Sequence, residues 1–149
     1  MEDYKMIFKR GLDAGRQGQD YEAISYFKKV LALQIPKDWE MITCMNIGQA
    51  YYGIAQKGLS TKQKYSHLNE DEIKILENAF EYLDRAYELA ERYPTSLDFP
   101  DYKQAIHHCN DSLTRVGMFL DSLGRVKNVL VKDEMGNMGL RMKLKQDIK

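Results

Sequence analysis

Cysteine and proline are scarce: the chain of 149 residues has two of the first and three of the second. Cys44 and Cys109 lie far apart without paired spacing, so they read as small buried apolar side chains rather than as a disulfide framework. That pattern suits a reducing compartment. Net charge is missing as well, because 22 Lys and Arg balance 22 Asp and Glu. Without a global basic field, nucleic acid and anionic membrane surfaces are not expected partners. No stretch approaches the roughly 20 apolar residues of a membrane span, and the opening MEDYKMIFKRG has no continuous apolar core. The expectation is a cytoplasmic chain. Val and Ile are sparse, and no alternating run flanked by hairpin turns stands out, so no strand is expected.

What is present is a helical period almost throughout. Tyr4, Ile7, Phe8, Gly11, Ala14 and Gly15 recur at helical spacing and share one face. After Gly18, Asp20 reads as an N-cap, followed by Ala23, Ile24, Phe27, Val30 and Leu31 up to Pro36. Asp38 reads as the cap of a third helix with Met41, Cys44, Ile47, Gly48, Tyr51 and Ala55. Residues 57–68 are polar and aperiodic, which predicts a loop insertion. Asn69, with Glu70, Asp71 and Glu72 behind it, predicts a cap and an acidic first turn. That helix carries Ile73, Leu76, Ala79, Phe80, Leu83, Ala86, Tyr87 and Ala90 and ends near Pro94. A fifth runs from near Pro100 through Ile106, Cys109, Leu113, Val116, Gly117 and Leu120 to about Gly124. Residues 125–134 read as a short sixth helix, and the basic, Met-rich segment 135–149 as a frayed tail. One helical domain, 1–134, is expected.

The small residues predict how the helices meet. Gly11 and Ala23 facing each other would let the first two helices approach closely as an antiparallel hairpin. Gly11, Gly18, Ala23 and Phe27, then Ile47, Gly48 and Tyr51 with Ala79, Leu83 and Ala86, then Leu113, Val116, Gly117, Leu120 and Gly124 resemble the tetratricopeptide repeat (TPR). Gly11 to Gly48 is close to that family's period of about 34 residues, and Gly48 to Gly117 to about twice it. The resemblance departs from the family pattern at Ala14, where a tyrosine is usual, and at the insertion. The third unit has two registers, since residues 101–113 also look like the family's second helix. The resemblance implies an all-α fold of about three antiparallel helix pairs stacked as a short right-handed superhelix.

No catalytic constellation emerges. His107, His108 and Cys109 are consecutive on a helix and point about 100° apart, so they cannot share one tetrahedral ion. The same divergence separates Cys109 from His108 as nucleophile and base. Glu70, Asp71 and Glu72 are explained by the helix start. Gly11, Gly15 and Gly18 fall at helical rather than phosphate-loop spacing. No enzyme activity, metal or cofactor is expected.

A stack of antiparallel pairs leaves a concave face lined by the first helix of each pair, and such faces hold extended peptides or helices. Here that face is expected to carry Lys5, Phe8, Lys9, Leu12 and Arg16, then Ile42, Met45, Asn46, Gln49 and Tyr52, then Arg115 and Met118. Apolar centres with charged margins suit a protein or peptide segment as partner. The family's carboxylate clamp for chaperone tails is not kept: its positions fall on Phe8, Leu12 and Asp111, with only Asn46 and Arg115 matching. The expected function is a non-enzymatic interaction module, an adaptor, scaffold or assembly factor. The alternative is a helical regulatory or oligomerisation unit that self-associates.

Overall fold

The computed structural model describes residues 3–60, 68–93, 96, 98–132 and 135–147. Among them are five α-helices, α1 (Tyr4–Arg16), α2 (Asp20–Leu31), α3 (Lys37–Ser60), α4 (Glu70–Arg92) and α5 (Tyr102–Ser122), followed by two strands, β1 (Val126–Lys132) and β2 (Met138–Leu144). The chain is therefore mostly helical, with a two-stranded antiparallel sheet at its C-terminal side.

Each helix packs against the next in sequence. The alternation also sets up two layers. Tyr4 and Phe8 of α1 touch Trp39 of α3, with ring centroids 5.2 and 5.3 Å apart. Gln49 of α3 donates to Ser112 of α5 at 3.0 Å. Helices α1, α3 and α5 thus share one layer. On the other side, Tyr51 of α3 stacks on Tyr82 of α4, and the Lys28 ammonium of α2 sits over the Tyr51 ring. The core between the layers includes Ile24, Phe27, Val30, Ile47, Leu76, Ala79, Phe80, Leu83, Val116 and Leu120. Burying each large apolar side chain contributes about 1.5–3 kcal/mol relative to leaving it exposed.

The close approach of α1 and α2 is present, but in a different pairing from Gly11 against Ala23. A Cβ on Gly11 would lie 2.6 Å from the Phe27 ring, whereas Ala23 is the neighbour of Gly15. In an antiparallel pair, advancing one turn along α1 retreats one turn along α2, so Gly11 takes Phe27 and Gly15 takes Ala23. The same geometry recurs where Gly48 of α3 lies beneath Leu83 of α4.

Two caps also differ from expectation. Asp20 is the first helical residue after Gln19 and takes Lys57 at 2.8 Å instead of capping its own helix. Asp38 lies in the first turn of α3, where Glu40 N–H donates to Pro36 C=O, and it accepts from Trp39 N–H and from Ser96 Oγ. The Asn69 cap is as expected, with Glu72 N–H donating to Asn69 Oδ1 at 2.9 Å and Asn69 N–H donating back to Glu72. Of the expected insertion 57–68, residues 57–60 belong to α3 and Leu68 packs against the core. Residues 61–67 lie outside those described.

The largest correction falls on residues 125–132 and 135–147. The expected sixth helix and frayed tail are replaced by the β1–β2 hairpin, with Val126 opposite Leu144 and Lys132 opposite Met138. Gly124, at φ +70°, ends α5 by turning the chain left-handed; Arg125 N–H donates to Leu120 C=O at 2.8 Å and Gly124 N–H to Asp121 C=O at 2.9 Å. Beyond this stop, β-branched Val126, Val129 and Val131 favour a strand. The hairpin is then secured by groups distant in sequence. Val126 and Leu144 are buried, and Met142 packs against the core at Gly117, where the Phe80 ring also lies close. Arg141 and Lys143 both bond Asp84 of α4, and both also reach Glu88.

Candidate functional site

The face of α1, α3 and α5 that points away from α2 and α4 is where the sequence places a groove. Its centre is less apolar than expected. Phe8, Ile42 and Tyr52 are each no more than 7 % exposed and belong to the core. Phe8 is drawn inward by aromatic neighbours, with Phe27 and Trp39 both 5.3 Å away between ring centroids. Such pairs add about 0.5–1.5 kcal/mol each beyond their buried area. These three side chains are therefore not anchors for a partner.

The other expected residues remain near the surface. Lys5 and Lys9 are exposed, Lys5 with its ammonium 5.6 Å over the Trp39 ring. Arg16 is exposed and pairs with Asp13 at 3.4 Å. Leu12, Met45, Asn46 and Gln49 are half-buried. Asn46 donates its side-chain N–H to Ile42 C=O at 2.8 Å, which leaves its carbonyl oxygen for other partners. Gln49 exchanges hydrogen bonds with Ser112. Arg115 and Met118 are exposed on α5. The result is a polar strip on α3 between a basic helix and a mixed one.

One end of this strip has a feature the sequence reading missed. Trp39 donates its indole N–H to Asp98 at 2.8 Å and packs edge-on against Phe99 at 4.9 Å. Ser96 Oγ donates to Asp38, and Phe99 N–H donates to Ser96 Oγ. The α4–α5 connector is thereby fastened over the start of α3. The only signal available was the single tryptophan beside Asp38.

Titratable groups elsewhere are engaged in structure. Glu40 takes Arg85 at 2.5 Å and Lys37 at 3.2 Å. Burial pushes its carboxyl upward, but the hydrogen bonds from Arg85 and Lys37 outweigh this and hold it below the usual range. Lys143 shows the cationic counterpart: burial acts to lower it, and the bonds to Asp84 and Glu88 prevail and raise it. Burial pushes the Cys44 and Cys109 thiols up to about 12. Cys109 directs its Sγ at Leu83 C=O, while His107 and His108 face solvent. Among the described residues no group of three His, Cys, Asp or Glu side chains is arranged to hold a metal ion. A shallow recess of about 460 Å³ at the α2–α3 connector is lined by Leu31, Leu33, Gln34, Ile35, Pro36, Lys37 and Glu40. Its two charged groups already pair with each other.

No protein-family model, curated protein or solved structure matches the chain. Among the described residues no helix is long and apolar enough to cross a membrane.

Proposed function

We propose that this chain is a non-enzymatic protein-protein interaction module with TPR-like stacking of helix pairs, holding a partner segment on the α1/α3/α5 face. The observation that carries this reading is the shared layer of alternate helices, joined by Trp39 to α1 and by Gln49 to α5. Such a layer offers an extended face with side chains from three helices. Because Phe8, Ile42 and Tyr52 are core, recognition falls to polar and charged groups: Lys5, Lys9 and Arg16 on α1, Met45, Asn46 and Gln49 on α3, and Arg115 and Met118 on α5. The partner segment is acidic where it meets α1, since three cations there outnumber the one carboxylate, Asp13, that pairs with Arg16.

The test is capture by immobilised chain, comparing wild type with the triple variant Lys5→Glu, Lys9→Glu, Arg16→Glu after circular dichroism shows equal helix content. A protein retained by wild type and lost from the variant, with binding that weakens as salt rises, supports the reading. Equal retention by both, or none by wild type, overturns it.

A further inference from the structure

The hairpin has an open edge. Strand β2 holds the helices through Arg141, Met142, Lys143 and Leu144, whereas β1 exposes Lys127, Asn128, Leu130 and Lys132. Leu130 and its cross-strand neighbour Leu140 are 67 % and 68 % exposed, and Met138 beside them is exposed too. A two-stranded sheet is marginal, and an exposed strand edge is a template for another strand.

The hydrogen-bond phase shows what that edge presents. Lys145 N–H donates to Arg125 C=O at 3.0 Å, one step beyond the Val126–Leu144 pair. In an antiparallel ladder, bonded and non-bonded pairs alternate. Lys127, Val129 and Val131 therefore bond inward to β2, and the backbone N–H and C=O groups of Asn128, Leu130 and Lys132 point outward. Among the described residues, no backbone hydrogen bond outside the ladder reaches residues 127–132.

We propose that this edge pairs with the same edge of a second copy of the chain, antiparallel about a two-fold axis at Leu130, to make a four-stranded sheet. In that register Leu130 faces Leu130 of the second copy, Asn128 faces Lys132, and Val129 faces Val131. Every outward backbone group of residues 128, 130 and 132 meets a complementary one. Leu140, Leu130 and the same two residues of the second copy form one apolar row across the four strands, the cross-strand contact that stabilises sheets. Neither lysine of β1 meets a lysine of the other strand. The formal net charge of zero removes overall repulsion between copies. A shift by one residue, which would set Lys127 against Lys132, is excluded by the hydrogen-bond phase, because it opposes an outward-facing residue to one already bonded inward to β2. This surface does not use the α1/α3/α5 face and stands apart from the function proposed for it.

Light scattering and sedimentation of the full chain over a range of concentrations test the pairing. Wild type is expected to dimerise with concentration. Leu130→Lys and Leu130→Glu, each placing like charges at the two-fold axis, should each raise the dimer dissociation constant tenfold or more. Mixing the two variants should restore association as a heterodimer. A second measurement needs no loss of stability to be read: Leu130→Cys should form a covalent dimer on mild oxidation, since directly opposed residues have Cα atoms about 5.5 Å apart, within disulfide reach. Lys132→Cys, opposite Asn128, should not. A wild-type monomer at every concentration overturns the proposal, as does a dimer that both charge variants leave unchanged, or equal cross-linking at 130 and 132.

Discussion

At Gly48 the packing leaves no space for a side chain. A Cβ there would sit 2.6 Å from Leu83 Cγ and 3.1 Å from the Leu83 backbone nitrogen, and the backbone atom cannot move aside without shifting α4. Overpacking of this kind costs about 1–3 kcal/mol, against about 1 kcal/mol gained from helix propensity in Gly→Ala. Gly48→Ala is therefore expected to lower stability on balance. In a thermal melt about 2–4 °C of lost Tm per kcal/mol is expected for a chain of this size. An unchanged or raised Tm would mean that α3 and α4 are further apart than the structure has them. The cysteines supply a second expectation. With both thiols buried and pushed up to about 12, neither presents thiolate near neutral pH. A disulfide-exchange reagent at pH 8 should label the native chain slowly and both cysteines rapidly in denaturant; rapid native labelling would place one at the surface.

Among the elements, the hairpin depends most on distant partners. Asp84 is nearly buried and is the acceptor shared by Arg141 and Lys143, while Glu88 takes the second contact of each. The Arg141 guanidinium also lies 5.1 Å from the Tyr87 ring centroid. Removing an acceptor from charged donors typically costs about 1.5–3 kcal/mol. Asp84→Asn should therefore loosen β2 before it affects the helices. Hydrogen exchange reads this directly: amides of residues 138–144 should lose protection while those of α3 keep theirs. Equal loss in both elements would show that hairpin and helices open as one unit. Sequence periodicity did not reveal this element, because Val126 and Val129 are three apart and fit a helix as well as a strand. What selects the strand is its pairing with residues 138–144 and the two carboxylates on α4.

For the whole molecule, the ion pairs define a pH range of stability. Glu40 has its folded value below the ordinary 4.5, so its contribution is present above 4.5 and is lost as pH falls through the folded value. Lys143 has its folded value above the ordinary 10.5, so its contribution is present below 10.5 and is lost as pH rises through the folded value. Melting temperature should be level between these limits with respect to both groups. Glu40→Gln should flatten the acid limb and Lys143→Met the alkaline limb, each leaving the other limb in place. If Glu40→Gln retains the full acid slope, the slope belongs to other carboxylates.

The helices were legible because each carries its own message: apolar spacing at 4, 7, 8, 11 and 14, an Asn69 cap with Glu72, and glycines that no helix interior favours unless another helix needs the room. These are local properties, within one or two turns of each residue. Lys5, Lys9, Arg16, Asn46 and Arg115 were placed on the outer surface of their helices on the same local grounds. Three decisions were not local. Trp39 had to meet Tyr4, Phe8 and Phe99, and Phe8 had to meet Phe27, before Phe8 became core, and helical spacing alone gives Phe8 the same rank as a groove residue. Gly11 had to meet Phe27 through the antiparallel offset of two helices. The strands of the hairpin had to find each other, and Arg141 and Lys143 then had to find Asp84, 57 and 59 residues away in sequence, a long loop to close. Such contacts depend on where whole elements come to rest, and no window of sequence shorter than the domain contains that information.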